Sequence, residues 1–346
     1  VSVAVATSLA VEGLEVSFGK GEGAVKVVRD VGFELSPGRT LVLLGESGSG
    51  KSVTGRAILG LLGPKGAVDG SVRLGETELL GAPEAQMRRL RGNAIGMVPQ
   101  DPSASLDPLQ KIGDQLVEVL LTHHVVGGRK EARARALELL ERVSFPDRAR
   151  AARSYPFELS GGLRQRAAIA IAIACDPQVL IADEPTTALD VTVQAQILEL
   201  FAALQAELDT ALLFVTHDVG VARAIGDDVA VMYAGRLVET GPIEVVLAAP
   251  AHPYTAGLLD ALPSPEIPRG ELRAIPGAPP APGDGHREDA CAFAPRCRFV
   301  AEACGLRLPP LAEIAPGRRS ACIVIDHAVP GYEPVAATYA QGSADA

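Results

Sequence analysis

At 346 residues the chain is long for one small module and suits two folding units of ~100 to 200 residues each. Its 47% hydrophobic and 21% charged residues, with a mean hydropathy of +0.20, exclude a disordered chain. Thirty-two basic against 42 acidic residues leave a net charge of −10, the wrong sign for a protein that binds nucleic acid by neutralising its phosphates, so no nucleic-acid partner is expected.

The first residues, Val1 to Val11, are apolar but lack a basic flank and run into the strand-like Leu14-Glu15-Val16-Ser17-Phe18, so no signal peptide is expected. Thr40 to Leu44 is a short apolar β run that ends in Gly45-Glu46-Ser47-Gly48-Ser49-Gly50-Lys51-Ser52, and a helical pattern follows through Leu62. Strand, glycine-rich loop and helix are the context in which G-x-x-x-x-G-K-[ST] forms a phosphate loop. Its backbone N–H groups turn inward at a helix N-terminus to form an anion nest. Gly48 and Gly50 allow that path, Lys51 reaches the β and γ phosphates, and Ser52 offers its hydroxyl to Mg²⁺.

From Pro108 to Val143 the periodicity is helical, with Leu137, Leu140 and Val143 on one face, which predicts a helical insertion. A further helix is predicted from about Ser160 to Asp176-Pro177, followed by the buried strand Val179 to Asp183 and another at Ala211 to Val215. Alternating signals of this kind predict a parallel α/β sheet that binds ligand at the carboxyl ends of its strands. The longest apolar stretch outside the termini, Ala167 to Cys175, is half of what a bilayer requires, so any membrane role must come through a partner. From Leu262 to Asp289 seven of 28 residues are Pro and four are Gly, the chemistry of a linker, and four of the five cysteines lie beyond it.

Asp183-Glu184, at the end of a buried strand, supplies two carboxylates with separable tasks. Asp183 can hold Mg²⁺ through water, and Glu184 can address the water that attacks the γ-phosphate. Leu159-Ser160-Gly161-Gly162-Leu163-Arg164-Gln165-Arg166 opens a helix 23 residues before Asp183. With this run in place the sequence resembles the ATP-binding subunits of ABC transporters. The elements stand in family order: the phosphate loop at Gly45, Gln100 in Val98-Pro99-Gln100-Asp101, the L-S-G-G run, Asp183-Glu184, Ala188-Leu189-Asp190, and His217 in Val215-Thr216-His217-Asp218.

That resemblance implies a P-loop NTPase fold with a RecA-like parallel-sheet core, an antiparallel β subdomain, a helical subdomain at about 101–175 and a small Cys-containing C-terminal extension. Residues 1–260 would form the nucleotide-binding domain and 261–346 the linker and extension. It also implies roles. Ser160 and Gly162, with Gly161 and Gln165 of the same run, would complete the ATP site of a second subunit in a head-to-tail dimer, and Asp190 would cross that interface. Gln100 would sense the γ-phosphate and join Ser52 and Asp183 around Mg²⁺, while His217 would hydrogen-bond the γ-phosphate and hold Glu184. Phe18 matches the aromatic that stacks on adenine, although a Phe packed in the core fits the position too.

Ala182 to Gln196, His252-Pro253-Tyr254-Thr255-Ala256-Gly257-Leu258-Leu259 and Ile275-Pro276-Gly277 are similar to the dipeptide and oligopeptide import branch. The implied protein is a peripheral ATPase on the cytoplasmic face of the membrane. It would work with two transmembrane permease subunits, a second ATPase subunit of its own or another kind, and an extracytoplasmic peptide-binding protein. Nickel or glutathione are alternative cargoes. A non-transport ABC ATPase acting on DNA or ribosomes is the alternative of another class, and one cassette with an acidic balance speaks against it.

Cys291, Cys297, Cys304 and Cys322 are spaced C-x5-C-x6-C-x17-C, with Pro295-Arg296 just before the second. A chain that uses cytosolic ATP keeps its thiols reduced, which favours metal binding over disulfides. The spacing alone leaves an iron–sulfur cluster, zinc and unliganded thiols open. The family resemblance implies a 4Fe-4S cluster on these four residues, in a structural role. Cys175 is expected to be a small buried hydrophobe.

Overall fold

Residues 9–262, 274–281, 283 and 289–324 are described by the computed structural model. The apolar start at residues 1–8, most of the Pro-rich stretch and the end of the extension, 325–346, lie outside the described residues.

β1 (Leu9–Phe18) and β2 (Val25–Leu35) pair antiparallel, and the chain then enters β3 (Thr40–Leu44), whose five residues are all buried. The phosphate loop leads into α1 (Lys51–Ile58). That helix stops short of Leu62 because Gly60 takes φ +63°. The Gly60 N–H bonds Ala57 O at 2.9 Å and the Leu61 N–H bonds Arg56 O at 2.8 Å, a Schellman closure that satisfies the last carbonyls. β4 (Gly66–Leu74) returns to β1, and β5 (Thr77–Glu78) completes an antiparallel sheet of order β2-β1-β4-β5.

After α2 (Glu84–Leu90) and β6 (Ile95–Val98) comes a helical excursion: α3 (Pro102–Ser105), α4 (Ile112–Thr122), α5 (Arg129–Arg142), α6 (Arg148–Ala151) and α7 (Gly161–Ala172). The helical run expected between Pro108 and Val143 is therefore two helices. His124 at φ +54° and the Gly127-Gly128 pair break it, and Gly128 is the N-cap of α5. Leu140 and Val143 are fully buried and Leu137 half so, as their shared face predicts. Cys175 is only half-buried, just beyond the end of α7.

The second sheet collects β7 (Val179–Asp183), β8 (Ala211–Thr216), β9 (Asp228–Tyr233), β10 (Arg236–Pro242), β11 (Ala312–Ala315) and β12 (Arg318–Ser320). Its order is β11-β12-β10-β9-β3-β8-β7-β6. The run β9-β3-β8-β7-β6 is parallel and the rest antiparallel. α8 (Val191–Leu208), α9 (Val219–Ile225), α10 (Ile243–Ala248) and α11 (Pro253–Asp260) connect and cover these strands. β3 serves two cores at once: Val42 and Leu44 join the cluster with the helical excursion, while Leu41 and Leu43 join the one beneath the antiparallel sheet.

The C-terminal segment is built into this sheet, since β12 pairs with β10. Arg318 Nη2 donates to Glu239 Oε1 at 3.0 Å, and Glu239, fully buried, also accepts the Ala251 and His252 N–H groups. Among the described residues no helix is long and apolar enough to cross a membrane.

Candidate functional site

Strand register places the site. Leu44 of β3 lies opposite Thr216 of β8, Asp183 of β7 opposite Val215, and Val98 of β6 opposite Ala182. The ends of four adjacent parallel strands therefore emerge along one edge, β3 leading into Gly45–Ser52, β8 into His217, β7 into Asp183-Glu184 and β6 into Gln100.

In the phosphate loop Gly45, Ser49 and Gly50 are buried, and Ser47 and Gly48 form the exposed tip. Gly50, the N-cap of α1, has φ +107°, a conformation that a side chain would strain. Lys51 is 3% exposed, and its Nζ donates to Gly45 O at 2.7 Å and Glu46 O at 2.9 Å. Burial lowers the ammonium's pKa, opposed by the carboxylates of Glu184, Asp183 and Glu46. The folded loop thus holds a desolvated cation against two carbonyls that a phosphate can replace.

Ser52 Oγ donates to Asp183 Oδ1 at 2.6 Å. Asp183 is 1% exposed, and burial is the largest influence on its carboxyl, pushing the pKa up. Its Oδ2 has no hydrogen-bond partner among the described residues and lies 3.8 Å from Arg56 Nη2. A Ser hydroxyl beside a buried carboxylate oxygen with unspent capacity is the hard-oxygen set that suits Mg²⁺, which commonly takes one or two carboxylates and phosphate oxygens.

Glu184 follows at φ +46°, a strained conformation for a non-glycine residue, fixed by its N–H bond to Val215 O at 3.0 Å. Three side chains converge on its Oε2: Gln100 Nε2 donates at 3.2 Å, Thr187 Oγ1 donates at 3.0 Å, and His217 Nδ1 lies at 3.2 Å. Thr187 is a contact that motif spacing did not single out, although it sits three residues after Glu184.

The signature run forms a second group, on the helical excursion. Ser160 is the N-cap of α7 and its Oγ accepts the Leu163 N–H; Ser160 and Gly161 are exposed. A Cβ on Gly162 would come within 2.7 Å of Val193 Cγ1, so glycine lets α7 start against the first turn of α8. Asp190, exposed, caps that helix by accepting the Val193 N–H at 3.0 Å. Gln165 points inward at 2% exposure, its Nε2 without a hydrogen-bond partner among the described residues. Arg164 Nη1 reaches Ser103 Oγ at 3.3 Å, tying α7 to the segment just after Gln100. Phe18 is half-buried at the end of β1 and packs against the core under the antiparallel sheet.

Two contacts to the phosphate loop come from far along the chain. The Glu46 N–H donates to Tyr254 Oη at 2.8 Å, and the Glu46 carboxylate meets the Arg296 guanidinium in a two-bond fork at 2.7 and 3.1 Å. His252 and Tyr254, which carry no catalytic role in the sequence motifs and are expected to pack the turn into the C-terminal extension, anchor this junction. His252 Nδ1 accepts the Tyr254 N–H at 3.1 Å, and the Tyr254 ring packs on Tyr233 and Phe293.

The expectation of a 4Fe-4S cluster on Cys291, Cys297, Cys304 and Cys322 is not met. Among the described residues no group of three or more His, Cys, Asp or Glu side chains is arranged to hold a metal ion. The four cysteines instead line one largely apolar cavity with His252, Phe293 and Phe299. Burial raises the Cys291 pKa and pushes Cys297 up to about 11, so without a metal both are neutral thiols. The Cys297 Sγ accepts the Phe299 N–H at 3.3 Å, and the Cys291 N–H bonds Cys304 O at 2.9 Å.

A sheet with a phosphate loop, a buried Asp-Glu pair and a serine-capped glycine helix defines an ATP-hydrolysing P-loop protein. Residues 28–187 match the ABC transporter family, and residues 238–304 match the oligopeptide/dipeptide transporter C-terminal region. The chain is 50% identical over 328 residues to a proposed peptide import ATP-binding protein of Brucella abortus strain 2308, covering 91% of this chain and 96% of the relative. A second such protein of the same strain is 47% identical over 323 residues, covering 93% and 96%. Among solved structures, a dimeric ATP-binding cassette in a post-hydrolysis state bound to ADP and Pi superposes with a TM-score of 0.61 at 28% identity, over 68% of this chain and 98% of that one. The cbiO1 protein of Clostridium perfringens, part of an ABC transporter complex, gives a TM-score of 0.59 at 25% identity, over 70% and 91%. The chain belongs to the family of ABC transporter ATP-binding subunits, in the branch related to peptide import systems.

Proposed function

We propose that this ATPase drives uptake of dipeptides or oligopeptides at the cytoplasmic face of a membrane. It would do so through two permease subunits, with a second ATPase subunit and an extracytoplasmic peptide-binding protein supplying the remaining parts. The names of its relatives and the match of its C-terminal region support the cargo class. Residues 1–260 would be the nucleotide-binding domain, with its helical part at about 101–175, and 261–346 the extension.

The convergence of Gln100, Thr187 and His217 on one oxygen of Glu184, beside the Ser52–Asp183 pair, carries the mechanistic reading. Mg²⁺ would be held by Ser52, Asp183 and Gln100, and when bound it would supply charge neutralisation at the phosphates. Lys51 exchanges its carbonyl partners for phosphate oxygens, and the Gly45–Gly50 amides cradle them. Glu184 accepts the proton of the attacking water as general base. With its Oε2 occupied by three partners, the carboxylate is held in one orientation and presents Oε1. His217 and Gln100 link that carboxylate to the γ-phosphate position, while the half-exposed part of Phe18 left over from its core packing would stack on adenine. Ser160, Gly161, Gly162 and Gln165 complete the partner ATPase's site, and Asp190 lies at that interface.

The test is reconstitution of the chain with its two permease subunits in proteoliposomes. Peptide accumulation that requires MgATP and the binding protein is the expected result. Uptake of a metal ion or glutathione with no peptide uptake would overturn the cargo, and retention of nucleic acid in place of permeases would overturn the transport role.

A further inference from the structure

The Pro295-Arg296 pair ahead of Cys297 has no part in the reaction described above, yet its arginine sits on the phosphate loop. Arg296 is 7% exposed. Nη1 donates to Glu46 Oε2 at 2.7 Å and Nη2 to Glu46 Oε1 at 3.1 Å, the fork geometry in which guanidinium and carboxylate match best. Nε donates to Pro276 O at 2.9 Å, Nη1 lies 3.4 Å from Tyr233 Oη, and the guanidinium stands 5.8 Å from the Tyr233 ring centre. With Nη2 3.5 Å from Gly277 O as well, four contacts besides Glu46 hold the guanidinium in place.

Glu46 is poorly chosen for a loop that receives a polyanion. Its own backbone carbonyl accepts the Lys51 ammonium at 2.9 Å, so the carboxylate is carried on a residue that touches the phosphate-binding lysine. An unpaired carboxylate there would repel phosphate and compete with it for Lys51. Arg296 cancels that charge and draws it toward the C-terminal segment, while Tyr254 fixes the same residue through its N–H.

We infer that Arg296 is a positioning residue of the nucleotide site: by pairing with Glu46 it keeps Lys51 available to the phosphates, so the C-terminal segment sets ATP affinity. This rests on Gly45–Ser52 being the phosphate site.

Equilibrium MgATP binding and steady-state turnover of the full chain test it, with Arg296→Gln, Glu46→Gln and the double variant. Arg296→Gln exposes the carboxylate and raises Kd and KM by about tenfold, the size expected of a unit charge a few ångströms away at a partly screened site. The change falls in KM rather than kcat. Glu46→Gln leaves the cation unopposed and tightens ATP by about threefold on the same electrostatic grounds, and the double variant recovers most of the loss. A merely structural ion pair would weaken binding whichever half is removed. Two losses of the same sign, or an Arg296→Gln protein with unaltered Kd, would overturn the inference. If Arg296→Gln does not fold, the sign of the Glu46→Gln effect decides: weaker binding refutes it. Lys51→Ala separates the two levels, because unimpaired ATP binding there would refute the phosphate-site assignment itself.

Discussion

Ser52 and Asp183, 131 residues apart, share a 2.6 Å hydrogen bond in which the hydroxyl donates to a carboxylate oxygen that is almost wholly buried. The bond exists because β3 and β7 flank β8 in one sheet and end at the same edge. It stores a cation site in a compact form: the hydroxyl satisfies one carboxylate oxygen and leaves the other unspent. Asp183→Asn keeps the shape and removes the charge. MgATP turnover should fall by about a hundredfold or more, as expected when a charge-stabilising metal is lost, with half-saturation shifted to higher Mg²⁺. A Mg²⁺ titration of the turnover rate checks this.

The contact between the signature helix and α8 yields a packing prediction. A Cβ on Gly162 would stand 2.7 Å from Val193 Cγ1. Gly162→Ala should therefore destabilise the chain by about 1–3 kcal/mol through overpacking. Val193→Ala in the same chain should return most of that loss. Thermal melts of the single and double variants measure it, and an additive double variant would mean that the clash is relieved elsewhere.

The sequence motifs and the elements that carry them were legible because each motif is local. Gly45–Ser52, Ser160–Gly162 and Asp183-Glu184 each lie within a few residues, and a strand-loop-helix context fixes where such a run must sit. The contacts of Tyr254 and Arg296 with Glu46 span 208 and 250 residues, and no periodicity announces them. The break at His124–Gly128 was hidden by helical periodicity that continues on both sides of it. The cysteine spacing was suggestive for a different reason: it does bring the four residues to one cavity, but spacing says nothing of how the side chains are arranged there, and among the described residues they form no metal-holding group.

His252 makes the junction sensitive to acid. It is 2% exposed, and burial pushes its pKa down from 6.5 to about 3. The unfolded chain binds a proton at this residue below about pH 6.5 while the folded chain does not. Its contribution to stability is therefore intact above that pH and declines as pH falls toward 3, by up to about 1.4 kcal/mol per pH unit. His252→Asn keeps an acceptor at the N-cap of α11 and removes the titration. Urea unfolding of both chains should show a shallower acid loss for the variant. Equal slopes would mean that His252 gains its proton without unfolding.

The central claim is that Glu184, held by Gln100, Thr187 and His217, is the base for water attack on ATP. Turnover of the Glu184→Gln chain, measured alongside ATP binding and dimer formation, tests it most directly. Hydrolysis should drop by about 10²–10⁴-fold, the range for loss of a general base. ATP should still bind and a closed dimer should accumulate. Turnover at the wild-type rate, with no trapped dimer, would contradict the account.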